Sequence, residues 1–273
     1  MSTKKAIVVY LDNNREQILF FERFLRSSFY LSNIKDVDLV VFHPNSLDIE
    51  NSNNIVGCPI FFRDSFCETY KFIKSIQCIA EHQGLLSQYD YLMRSDVDVF
   101  LLPNFNNIDW TKFQVGKGAY NNDNTVKNNI FRVHEDFDLK IRSDYTTNIG
   151  STWIGPSSLV TQAATLTTKL TKHIYNSFRD NGKWPSWYRP VSLLYGAEIA
   201  VNQIEKFEKR PDFLDFDSTS SNSIDNHAHI HCWHTDNMFS KFAYLQHQYR
   251  HINLKNINIK EIRNYCLYVA RTF

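Results

Sequence analysis

Two aspartates separated by one valine, Asp96-Val97-Asp98, interrupt the otherwise apolar run YDYLMRSDVDVFLLP from Tyr89 to Pro103. On an extended chain residues two apart share a face, so both carboxylates are expected to point the same way. Two like charges held together in a buried stretch call for a cation. Hard oxygen ligands suit Mn2+ or Mg2+, which in turn bridge nucleotide phosphates. A turn with Asp at its corners is the competing reading. The apolar strand before the pair favours a site, because ligands of open α/β sheets lie beyond the carboxyl ends of strands.

A second constellation is the string NHAHIHCWHTD. His227, His229 and His231 share a face if extended, and His234 follows; neutral imidazole is a common transition-metal ligand. Either His231 or His234 completes a site with Asp96 and Asp98, or His227, His229 and His231 build a zinc site of their own, or most of these histidines are merely exposed. The third feature is Glu198 in LYGAEIAVN, which shares a helix face with Asn202 four residues on. A carboxylate there serves as base, nucleophile or acceptor anchor, or simply complements a helix dipole.

These residues need a scaffold, and hydrophobic periodicity supplies one. Strands are expected over Ala6 to Leu11, Asp38 to Phe42, Ile60 to Phe62, the stretch before Asp96, Phe113 to Tyr120, Tyr145 to Gly155 and Ala228 to Trp233. Helices are expected over Arg15 to Phe29, from the capping box Ser65-x-x-Glu68 to His82 with Gly84 as stop, over Ser157 to Phe178, Ala197 to Lys209 and Met238 to Tyr249. Asn45 to Asn54 and Asn121 to Asn129 read as polar loops. Small residues in YTTNIGSTWIG leave room for a substrate, and the glycines between Phe113 and Tyr120 suggest a strand passing close to a ligand.

The 273 residues suffice for one full core. Thirty basic and 29 acidic side chains give a net charge of +1, so bulk electrostatics make no case for nucleic acid or an anionic membrane. Cys58, Cys67, Cys78, Cys232 and Cys266 form no C-x-x-C pair, which points to reduced thiols and a cytoplasmic setting. No stretch approaches the roughly 20 apolar residues of a membrane span.

In this order the features resemble the metal-dependent glycosyltransferases of the GT-A fold. The D-x-D motif is Asp96-Val97-Asp98, the small-residue strand Asn148 to Gly155, the later helix glutamate Glu198, and the late metal histidine His231 or His234. The resemblance implies one GT-A-like α/β domain with a Rossmann-like mixed sheet flanked by helices. It has a nucleotide-binding half over 1–103, an acceptor half over 104–250 and a docked segment over 251–273. It further implies a nucleotide-diphosphate sugar as donor and a glycan or other hydroxyl as acceptor, with a nucleic-acid acceptor left open. Asp98 would ligate Mn2+, while Asp96 would hold the ribose or complete the metal shell. Tyr10 and Asp12 would meet the base, Lys241 the diphosphate, Glu198 the reacting sugar, and Trp153, Trp187 and Asn202 the acceptor. Within the fold the chain is most similar to retaining blood-group-type and glycogenin-like enzymes. It departs from them at Gly196-Ala197-Glu198, where the former have His-Asp-Glu, and after His231, where the latter carry Lys-Pro-Trp. Retention or inversion stays open. The rivals are a nucleotidyltransferase, whose Gly-rich phosphate loop is missing from Lys4 to Arg15, a zinc hydrolase on the His227 to His234 cluster, and an inactive binding module.

Overall fold

The computed structural model describes residues 3–47, 59–64, 69–178 and 182–272. Strand β1 (Lys5–Tyr10) is an apolar run, fully buried after Lys5, as expected of a strand covered on both faces. Asn14 then caps α1 (Arg15–Phe20) by accepting the Glu16 N–H, and the helix widens into a π-turn (Phe21–Arg26) before α2 (Ser27–Leu31). Strands β2 (Asp38–Pro44) and β3 (Ile60–Asp64) follow, then α3 (Lys74–Glu81), α4 (Gln83–Leu86), β4 (Tyr91–Arg94) and β5 (Val99–Leu101). The later elements are β6 (Gln114–Lys117), α5 (Asn124–Asp136), β7 (Ile149–Pro156), α6 (Ser157–Ser177) and α7 (Ser192–Val201). Strands β8 (Glu208–Lys209), β9 (Phe216–Asp217) and β10 (His229–His231) and helices α8 (Lys241–Leu245) and α9 (Ile262–Thr272) complete the chain.

One seven-stranded sheet runs in the order β3-β2-β1-β4-β7-β6-β8, and a three-stranded sheet in the order β5-β10-β9. Strands β3, β2, β1 and β4 are mutually parallel, whereas β7 is antiparallel to both β4 and β6. The chain is thus a single α/β domain with a mixed, Rossmann-like sheet flanked by helices. Because β1 has β2 on one side and β4 on the other, the winding reverses between β1 and β4, and their carboxyl ends open the crevice where such sheets bind ligands. Helices α3, α6 and α7 cover one face. The other face packs on the α1–α2 helix and on α9, whose Tyr265 hydroxyl donates to Leu101 O at 3.1 Å.

Several elements differ from the sequence expectations. The run around Asp96 is not one strand: β4 stops at Arg94 in the large sheet and β5 starts at Val99 in the small one, so the aspartates sit on the crossover between sheets. Asn124–Asp136 is a helix, not a loop; Asp123 caps it, and Val126, Ile130 and Val133 bury one stripe beneath an Asn-rich outer face. Helix α7 begins at Ser192, ahead of Ala197, and ends at Val201, after which Glu208–Lys209 is a strand. Gly84 lies inside α4 instead of stopping a helix. Between Met238 and Tyr249 only α8 is helical. The capping box from Ser65 to Glu68 falls outside the described residues, as do Cys58, Cys67 and most of the Asn45 to Asn54 loop.

Phe24 links fold to site: it stacks on Phe100 of β5 at 4.6 Å and meets Phe239, just before α8, edge-on at 5.5 Å. Phe24→Ala is expected to lower the unfolding free energy by about 3–5 kcal/mol, measured by denaturant titration.

Candidate metal centre

The last residue of β4 fixes the first carboxylate. Arg94 is buried, and its guanidinium donates to Ser151 O, to Ser75 Oγ at 2.8 Å and to Asp96 Oδ1 at 2.8 Å. Past Asp98 the chain enters β5, which pairs antiparallel with β10 so that Val99 faces His231. The Cys232 N–H donates to Asp98 O at 3.1 Å and locks this register. A histidine from the far end of the sequence is thereby brought onto the aspartate pair. One donor atom each from Asp96, Asp98 and His231 lies within 4.8 Å of the others. His231 Nε2 is 3.5 Å from Asp98 Oδ1 and 3.9 Å from Asp96 Oδ2.

Charge balance accounts for the electrostatics. Burial alone would raise the Asp98 carboxyl, but Lys241, 2.5 Å from Oδ2, and then His231 outweigh it and hold the group well below the usual carboxylate range. Burial would likewise lower His231, yet Asp98 and then Asp215 raise it above the ordinary imidazole value. His229 goes the other way: burial takes it down to about 4. Its Nδ1 accepts the Asp215 N–H at 3.3 Å, so the proton of the neutral ring sits on Nε2, 3.1 Å from Ser95 Oγ.

Asp215 lies beside the cluster, its Oδ1 3.7 Å from His231 Nδ1, although no motif in its acidic, Ser-rich stretch marks it. It is fully buried with φ of 54°, and it receives the Thr152 N–H at 2.9 Å and the Thr152 hydroxyl at 2.6 Å. A Cβ on Gly116 or on Gly150 would overlap its carboxylate. The room left by these glycines is therefore filled by an internal side chain, not by a substrate. Close approach is readable from the glycines; what approaches is not.

The other expected residues are distributed as follows. Lys241 joins the cluster through Asp98. His234 stands outside it, stacked on Phe242 at 5.1 Å. His227 stacks on Phe216 and bonds Asp212 O, so among the described residues the three alternating histidines form no common site. Tyr10 and Asp12 lie at the carboxyl end of β1, with Lys74 Nζ 5.5 Å from the Tyr10 ring centre. Trp153 and Trp187 are both buried, the latter stacked on Tyr195 at 4.3 Å, and offer no open face for a sugar. Glu198 is fully buried outside the cluster: Asn121 Nδ2 donates to it at 2.5 Å and the Asn148 N–H at 2.6 Å. Asn202 closes α7 and bonds both the N–H and the O of Thr146. A groove of about 1110 Å³ runs along α1 and α2 past Arg15, Arg23 and Leu39 and includes no member of the cluster.

A family model described as a domain of unknown function, DUF7164, matches residues 1–271. The chain belongs to the DUF7164 family. No curated protein matches it. No helix among the described residues is long and apolar enough to cross a membrane.

Glu198 offers a pH test of the buried network. Burial raises it to about 7, against the opposing hydrogen bonds from Asn121 and Asn148. The folded state then holds a proton that the unfolded chain has released, so stability falls as pH rises from about 4.5 to about 7. The expected loss is on the order of 3 kcal/mol across this window, and Glu198→Gln should remove it from the pH profile of chemical denaturation.

Proposed function

We propose that the chain is a metal-dependent glycosyltransferase that moves a sugar from a nucleotide-diphosphate donor to a hydroxyl acceptor. The observation that carries this reading is the convergence of Asp96, Asp98 and His231 at the carboxyl end of β4, beside Tyr10 and Asp12 at the end of β1. Two carboxylates and one imidazole make a mainly hard donor set, which fits Mn2+ or Mg2+. When bound, the ion supplies positive charge to the departing diphosphate.

The chain's own residues do the remainder. Arg94 holds Asp96 through one carboxylate oxygen and leaves the other turned to the cluster. Lys241, ion-paired to Asp98, brings a second cation to the same edge, where it meets diphosphate charge. Tyr10 and Asp12 receive the base. Glu198 supports the acceptor side at one remove, by fixing the Asn121 side chain and the Asn148 backbone. Cys78, Cys232 and Cys266 are free and buried, in keeping with a reducing, cytoplasmic setting.

Thermal-shift and calorimetric titrations with UDP, GDP, CDP and ADP, each with and without Mn2+, test the reading directly. One diphosphate is expected to raise the melting temperature only when Mn2+ is present. Stabilisation by zinc alone, with no nucleotide effect, would overturn it. Once that donor is known, Asp98→Asn should lower turnover at least about a hundredfold, equivalent to about 2.7 kcal/mol of transition-state stabilisation. Near-normal turnover would remove Asp98 from the site.

A further inference from the structure

We propose that Asp215 is a positioning residue for His231: its carboxylate fixes the Nδ1 edge of the ring so that Nε2 is the atom turned toward Asp96 and Asp98. The inference rests on reading those three residues as a metal centre, and it concerns what holds the third ligand in place.

The geometry points one way. Asp215 Oδ1 is 3.7 Å from His231 Nδ1, and Ser151 Oγ is 3.4 Å from the same nitrogen, so one edge of the ring faces two acceptors. The opposite edge faces the aspartate pair. At 3.7 Å the carboxylate acts through charge more than through a hydrogen bond. Asp215 Oδ1 also lies 3.5 Å from His229 Nδ1, but that nitrogen already accepts the Asp215 N–H, which leaves His231 as the ring whose N–H the carboxylate can attract.

Three local features bring Asp215 there: a backbone in the left-handed region, the missing side chains of Gly116 and Gly150, and paired donors from Thr152. A buried carboxylate with only neutral hydrogen-bond donors is poorly compensated, so the histidine edge completes its environment. Metal-binding histidines characteristically present their second nitrogen to a carboxylate, which sets ring orientation and ligand basicity.

The test compares wild type, Asp215→Asn, Thr152→Val and His231→Ala. Calorimetry measures Mn2+ affinity, electron spin echo envelope modulation detects coordinated imidazole nitrogen, and thermal unfolding of the metal-free proteins reports the fold. Asp215→Asn is expected to weaken Mn2+ binding about 10- to 100-fold and to reduce the nitrogen coupling toward that of His231→Ala. Thr152→Val keeps the carboxylate but removes the hydroxyl that pins it, and should give a smaller loss of the same kind. Should Asp215→Asn fail to fold, Thr152→Val decides.

A folded Asp215→Asn with wild-type affinity and coupling overturns the proposal; so does a lower melting temperature with both metal readouts unchanged, which marks a purely structural residue. Wild-type protein that binds no Mn2+ overturns the metal reading itself, and this proposal with it. Wild-type binding without nitrogen coupling removes His231 from the centre and overturns the role of Asp215, while the two aspartates stand.

Discussion

Carboxylates can be gathered inside a protein only if each is given a counter-charge or hydrogen-bond donors of its own, because desolvated like charges otherwise force one another to protonate or separate. Three of them converge on one imidazole here. Asp96 is held by Arg94, Asp98 by Lys241, and Asp215 by the N–H and hydroxyl of Thr152. Each partner comes from a different element, so the arrangement exists only when the whole fold does. Truncating Lys241 would leave the buried Asp98 carboxylate without its nearest counter-charge, which costs more than the pair contributes.

The two sheets solve the accompanying backbone problem. A single continuous strand would carry Asp96 and Asp98 on into the large, helix-covered mixed sheet. Ending β4 at Arg94 and restarting in the smaller sheet puts both on a crossover, where the chain can turn its acceptors outward. The β5–β10 pairing then selects the histidine by register: Val99 opposite His231 fixes that residue one step from Asp98. Aromatic packing of Phe24, Phe100 and Phe239 sets the smaller sheet on the helix layer and carries the chain on to Lys241.

Much of the scaffold was legible because its signals are local. The apolar runs of β1 and β2 and the long helix α6 lie close to their expected bounds. Helix α5 was hidden because its exposed face is Asn-rich and its buried stripe narrow, and α7 was displaced because nearly every residue in it is buried, which erases amphipathic period. The Asp96, Asp98 and histidine combination was legible as residue types in order. Choosing His231 over His234 was not, since the choice depends on strand register. Asp215 left no local mark, since its surroundings are built by residues from two other strands.

Gly116, Gly150 and Asp215 belong to separate stretches of sequence yet behave as one packed object. A side chain at either glycine would occupy the volume that the carboxylate fills. Substitutions within such a trio are not independent, and their effects on stability need not add. In mutational terms the three positions form a ratchet: once Asp215 is in place neither glycine can drift alone, and a change at Asp215 alters what the other two can accept.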